Sequence, residues 1–144
     1  MEEEVEAASV REPVAPTGEP ARPRVRLDPM TAAEFGRYLE PAIREYAHQK
    51  VLSGDWEPHE AVELSRADHA QLLPDGLATP DQLLFTVRDE ATEQPVGVLW
   101  LVLRMRAVKV EAYVYDLVVA EEVRGRGYGR ATMLACLDAA RKLG

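Results

Sequence analysis

Apolar and polar positions change period several times along this chain, and each change marks an element. Val25-Arg26-Leu27 alternates and predicts a first strand ending at Asp28-Pro29. Thr31 stands three residues before Glu34, the spacing of a capping box, and a helical pattern follows to about Gln49. Pro41 inside it lacks an N–H and crowds the preceding turn, so the helix should kink there or split. A second amphipathic helix is expected from about Pro58 to Leu73, with Ala61, Val62, Leu64 and Leu72 as its apolar marks. Pro74-Asp75-Gly76 ends it. The period then becomes that of strands. Leu83 to Val87, Val96 to Leu103 and Val110 to Val119 are rich in Val, Leu, Tyr and Trp, and Asp89 to Gln94 makes the first turn between them. From Gly127 to Leu143 the period is helical again, with Met133, Leu134, Leu137 and Ala140 on one stripe. Arg141 and Lys142 in the last turn suit a helix C-terminus. The order is strand, two helices, three strands, glycine-rich loop, helix: an α/β plan.

Residues 1–23 stand apart. Pro13, Pro16, Pro20 and Pro23 lie among Glu, Ala and Arg, a composition expected of a disordered tail, which leaves 24–144 as the folded domain. The 144 residues are 47% hydrophobic and 29% charged, enough for one packed core. A formal net charge of −8 argues against nucleic acid or an anionic membrane as the main partner. No apolar run approaches the ~20 residues that span a bilayer, and the acidic start MEEEVEAASV does not read as a signal peptide. Cys136 is the only cysteine, which suits a reducing cytoplasm.

Against this acidic background, Arg124, Arg126 and Arg130 fall within seven residues. The segment Val118 to Arg130 leaves a strand, turns through Gly125, Gly127 and Gly129, and opens a helix. Backbone N–H groups at such a junction have no helical partner, and the helix dipole adds roughly half a positive charge. Glycines let a phosphate approach the backbone, and arginines supply forked donors. The segment suits an anion. A Walker loop would need Lys-Ser or Lys-Thr after the last glycine, where Arg130-Ala131 stands. A dinucleotide fingerprint would need a glycine at position 130 and a strand directly before Gly125. An RG-rich nucleic-acid segment would be repetitive, and this one is a single copy.

Arg124-Gly125-Arg126-Gly127-Tyr128-Gly129 does resemble the acetyl-CoA loop of the GNAT acetyltransferases, and the preceding Tyr115-Asp116-Leu117-Val118-Val119 and acidic turn Ala120 to Val123 are similar to that family as well. The resemblance implies a GNAT-like β-α-α-β-β-β-α fold, a mixed, mostly antiparallel sheet flanked by helices. It implies transfer of an acetyl group from acetyl-CoA to a primary amine by direct attack. Backbone N–H groups from Arg124 to Arg130 would hold the pyrophosphate, and Leu117, Val118 and Val119 would pair with the pantetheine arm. An N–H in the same strand would polarise the thioester carbonyl.

Direct transfer needs a neutral amine, and an unperturbed lysine-like amine has a pKa of about 10.4, so a base must take the proton. The family's usual base positions correspond to Tyr113 and Tyr115, which cannot serve near neutral pH. Alternation puts Glu111 on their face and Asp116 on the opposite one, so Glu111 is the first choice and Asp116 the second. Family members continue beyond this helix with further strands and a helix. On that resemblance the chain is C-terminally incomplete, and its open sheet edge would take a homodimer partner or a complementing chain. Alternatives are an inactive acyl-CoA-binding module and a non-enzymatic interaction domain. His48, His59 and His69 show no metal-ligand spacing, so no metal is expected. Cys136 is expected as a small buried hydrophobe, and Trp56 and His59 as loop-packing residues that in the family lie near the acceptor.

Overall fold

A computed structural model describes residues 22–143. The segment assigned to a tail, 1–23, lies outside the described residues except for Arg22 and Pro23. The elements are β1 (Val25–Pro29), α1 (Ala32–Leu52), α2 (Ala61–Leu72), β2 (Gln82–Asp89), β3 (Pro95–Arg106), β4 (Lys109–Val119) and α3 (Tyr128–Leu143). Short 3-10 turns occupy Gly76–Ala78 and Glu121–Val123. The order is the expected one. The chain divides into two units, residues 30–80 with α1 and α2, and a second with the four strands and α3.

In the second unit the strands lie in the order β1-β2-β3-β4 and all three pairings are antiparallel. The inner strand β3 carries a continuous apolar run, and Leu99, Trp100 and Leu101 are fully buried. A strand that is apolar on both sides requires this. Val25, Val87, Val96, Leu99 and Leu101 form a core with Cys136 of α3. Trp100 points away from that core; its Nε1 donates to Gln82 Oε1 at 2.7 Å, and its ring lies 4.4 Å from that of Tyr115.

Helix α3 packs against β1 and β4, but not by the expected stripe. Leu134 is exposed, and Thr132 and Cys136 are buried, with Tyr128, Ala131 and Ala135 half-buried against the core. Thr132 can enter because its hydroxyl donates to the Tyr128 carbonyl one turn back, at 2.7 Å. Small residues let the helix sit close to the sheet, and the larger Met133 and Leu137 are half-buried.

In the first unit the Thr31–Glu34 capping box is present in both directions, at 3.1 and 2.9 Å. Pro41 does not split the helix, because α1 runs unbroken over 21 residues. Pro41 and Arg37, whose carbonyl it leaves without a partner, are both exposed, so water can serve that carbonyl. Helix α2 begins at Ala61, three residues later than the apolar pattern suggests. Its buried residues are Ala61, Ser65 and His69, whereas Leu64 is exposed. Ser65 donates to the Ile43 carbonyl at 2.7 Å, and the Ser65 carbonyl lies 2.9 Å from His69 Nδ1. The polar atoms are satisfied, so polar residues can occupy the inner face.

Candidate anion-binding loop and catalytic strand

Between β4 and α3 the backbone is first fixed and then released. The Ala120 N–H donates to Val96 at 2.8 Å, and those of Val123 and Arg124 close the 3-10 turn on Ala120 and Glu121. The Arg124 Nε reaches back to the Val119 carbonyl at 2.9 Å. Two glycines with positive φ follow, Gly125 at 83° and Gly127 at 94°, a region that only glycine enters without strain. Gly129 is helical and has only ordinary van der Waals contact, with Val119, so its lack of a side chain serves access rather than conformation. Among the described residues, the amides of Gly125, Arg126, Gly127, Tyr128 and Gly129 donate to no backbone carbonyl, and the first helical bond runs from Ala131 to Gly127 at 3.0 Å. Gly125, Arg126 and Gly127 are exposed.

This geometry suits a diphosphate, with two refinements. Arg124 spends its amide and its Nε on the turn, so the amides without a backbone carbonyl partner begin at Gly125. Tyr128 turns its hydroxyl away from the loop and donates it to Asp89 at the end of β2. That bond holds the Asp89 carboxyl below the usual range, with the Thr92 and Ala91 amides adding to the effect, and pushes the Tyr128 hydroxyl up.

Strand β4 departs from simple alternation. Trp100 opposes Asp116 but Leu101 opposes Val114, so Tyr115 is an extra residue in a bulge. The bulge changes the parity on which the placing of Asp116 relied. By register Asp116 shares the Trp100 side, Tyr113 opposes Val102 and Glu111 opposes Arg104, all on one face. The Tyr113 hydroxyl donates to Glu111 Oε1 at 2.6 Å, and Arg106 approaches the same oxygen to 3.7 Å. Arg104 lies 4.9 Å from the Tyr113 ring centre. The Glu111 carboxylate pushes the Tyr113 hydroxyl above its ordinary value. Further along, Leu117 turns toward the α3 side, Val118 is exposed, and Val119 opposes Gly97. A methyl group on Gly97 would overlap the Val118 carbonyl, so β3 and β4 are drawn tightly together there. The other edge of β4 pairs with no strand among the described residues.

A model of the acetyltransferase (GNAT) family matches residues 45–144, more than half of the chain, including the whole of the loop. The chain belongs to the GNAT acetyltransferases. This GNAT chain is 36% identical over 120 residues to YycN of Bacillus subtilis (strain 168), an uncharacterised N-acetyltransferase, a match covering 83% of this chain and 76% of that one. The crystal structure of YycN matches with a TM-score of 0.77 over the same shares. A second uncharacterised N-acetyltransferase of that organism, YdgE, is 27% identical over 118 residues, 82% of this chain and 74% of the other. The structure of a histone acetyltransferase HPA2 and related acetyltransferase from Corynebacterium glutamicum shares the fold at 18% identity, with a TM-score of 0.55 over 83% of this chain and 72% of that one.

The remaining candidates of this GNAT chain divide plainly. Cys136 is buried in the core and is not a reactive thiol at a surface. Trp56 packs edge-on to Tyr46 at 5.7 Å, and the Lys50 ammonium sits 5.6 Å from both rings. No group of three or more potential metal ligands exists among the described residues, and no described helix is long and apolar enough to cross a membrane. Asp89 escaped the sequence reading. Its turn, Asp89 to Gln94, was legible, but nothing local links it to Tyr128, 39 positions away.

Proposed function

We propose that this GNAT acetyltransferase moves an acetyl group from acetyl-CoA to a primary amine in one direct step, with residues 24–144 as the catalytic domain. The observation that carries the reading is the run of amides from Gly125 to Gly129 at the start of α3 that donate to no backbone carbonyl among the described residues, beside exposed Arg126. These donors, the helix dipole and the guanidinium together suit the diphosphate of coenzyme A. Leu117, Val118 and Val119 offer the backbone of an edge strand to the amide groups of the pantetheine arm, a strand-addition mode. The thioester supplies an activated carbonyl: the amine nitrogen bonds to its carbon, the C–S bond breaks, and the thiol leaves with the proton given up by the amine.

On this reading Glu111 is the base and works through Tyr113. Before attack, the tyrosine oxygen takes a proton from the ammonium form of the acceptor while its own proton passes to Glu111 over the 2.6 Å hydrogen bond, leaving the neutral amine whose remaining proton goes to the thiol. No phenolate need form, which suits a hydroxyl whose pKa is raised. Asp116, on the same face, is the second choice. A reducing cytoplasm is the compartment that fits a chain with a single cysteine, buried in the core. A second copy of the chain would compete with the pantetheine arm for the β4 edge.

The test is a calorimetric titration with acetyl-CoA, followed by thiol release against a panel of amines. Gly127→Glu should abolish binding, since it forces a side chain into a φ of 94°, brings its Cβ to 3.4 Å from Pro23, and adds a like charge. Glu111→Gln should lower kcat about a hundredfold without weakening acetyl-CoA binding. Binding with no thiol release from any amine would replace the enzyme by an inactive acyl-CoA-binding module. No binding at all would leave a protein-interaction domain.

A further inference from the structure

The entry to α3 is tied to the rest of the backbone by few hydrogen bonds. Gly125 and Gly127 flank Arg126 with positive φ, and the amides of the five residues from Gly125 to Gly129 make no bond to a backbone carbonyl among the described residues. The Cα atoms of a helix lie about 2.3 Å from its axis, so a turn of roughly 25° displaces a first-turn residue by about 1 Å. That is enough to take a hydrogen bond from its preferred length out of range. The buried face of α3 consists largely of small residues, Ala131, Thr132, Ala135 and Cys136, which resist rolling weakly. Tyr128 is the exception. It is the first residue of the helix, its ring packs against the core, and its hydroxyl donates to Asp89 Oδ2.

Asp89 is itself held firmly. Its Oδ1 accepts the amides of Ala91 and Thr92 at 2.7 and 3.0 Å. Its own N–H donates to Gln94 at 3.0 Å, and its carbonyl accepts from Glu93 at 2.8 Å. The residue is 7% exposed. One carboxylate oxygen therefore knots the β2–β3 turn, and the other reaches across to the first residue of the helix. Resting on the acyl-CoA reading of the loop, we infer that Asp89 and Tyr128 are a positioning pair: they set the rotation of α3 about its axis and so aim the amides of Gly127, Tyr128 and Gly129 at the phosphates. Neither side chain touches the ligand, and both act through the backbone that does.

A purely structural bond would cost stability and leave the affinity of the folded protein alone, which makes the two roles separable. Tyr128→Phe removes only the hydroxyl and should raise the acetyl-CoA Kd, and with it KM, about tenfold while kcat changes little. Asp89→Ala should do the same, and the double variant should bind no worse than either single one, because both remove one coupling. Asp89→Asn keeps an oxygen for the Ala91 and Thr92 amides and turns an Nδ2 donor toward the phenol oxygen, reversing the bond to Tyr128, and should retain most of the affinity. Inorganic pyrophosphate, followed through the amide NMR signals of Gly125, Gly127 and Gly129, probes the aim of the loop independently of the acyl group. Wild type that binds pyrophosphate but not acetyl-CoA would end the acyl-CoA reading and leave the positioning pair standing, provided Tyr128→Phe weakens pyrophosphate. Equal pyrophosphate affinity in wild type and Tyr128→Phe, or no binding by wild type, would overturn the pair. A lowered thermal midpoint with unchanged Kd would also overturn it.

Discussion

At the scale of single residues, the ionisable groups of the sheet unit predict how stability varies with pH. Asp28 accepts from Arg26 at 2.8 and 3.1 Å and from Arg88 at 3.0 Å. Its carboxyl is held below the usual range, chiefly by Arg26, and that of Glu93 is lowered by the same guanidinium. Asp89 is lowered chiefly by Tyr128. A carboxyl depressed in the folded state contributes stability above its unfolded pKa, near 4, and loses it as pH falls further. The two raised tyrosines work in the other sense. Tyr113 and Tyr128 contribute fully below an unfolded value near 10 and lose that contribution as pH climbs through their folded values. The urea midpoint should therefore be level between about pH 5 and 9 and fall on both sides. Tyr128→Phe should make both arms shallower, because it deletes the phenol and the donor that depresses Asp89. Arms of unchanged steepness in that variant would refute the assignment.

At the scale of elements, what the chain order made legible was whatever depends on neighbouring positions. The strand-like runs, the Thr31–Glu34 cap and the strand-glycine-helix junction are local patterns, and the elements they mark are all present. Buried faces were less legible, because a hydrogen bond from a distant residue changes which side chains can be buried. Ser65 goes inward since the Ile43 carbonyl awaits it, and Thr132 does so by bonding its own helix. The Tyr115 bulge is set by the pairing of β4 with β3, so no window on β4 alone announces it. Pro41 is the sharpest difference, since local chemistry predicted a kink or a split and the helix runs on over 21 residues without a split, with the proline exposed. The absorbed cost predicts a gain. An interior helical proline costs about 3 kcal/mol against alanine, and its stiffening of the unfolded chain returns at most about 1. Pro41→Ala should therefore stabilise the protein by about 2–3 kcal/mol, read as a higher urea midpoint at unchanged slope. A lower midpoint would mean that the proline terminates a strained segment rather than interrupting a sound one.

At the scale of the whole molecule, the edge of β4 that pairs with no strand among the described residues would, on the proposed reading, face two competitors with opposite electrostatics. Val110, Tyr115 and Val118 of β4 are exposed apolar residues, and an edge so furnished can pair with another chain. A second copy, however, brings the same net charge of −8. That repulsion reaches about 30 Å at 0.01 M salt and about 10 Å at 0.1 M. Acetyl-CoA is an anion too, but it would be met by the local arginines, which act within a few ångströms. Salt should thus strengthen pairing between copies and weaken capture of the diphosphate. Sedimentation at low and moderate ionic strength should show the weight-average mass rising with salt. Saturating acetyl-CoA should bring it back toward that of a single chain, since the pantetheine arm and a second strand would need the same Leu117–Val119 backbone. Val118→Lys should lower the mass in the same way, because an added charge guards an edge. Association that grows with salt yet ignores both acetyl-CoA and Val118→Lys would put the contact on another surface and remove the β4 edge from the competition.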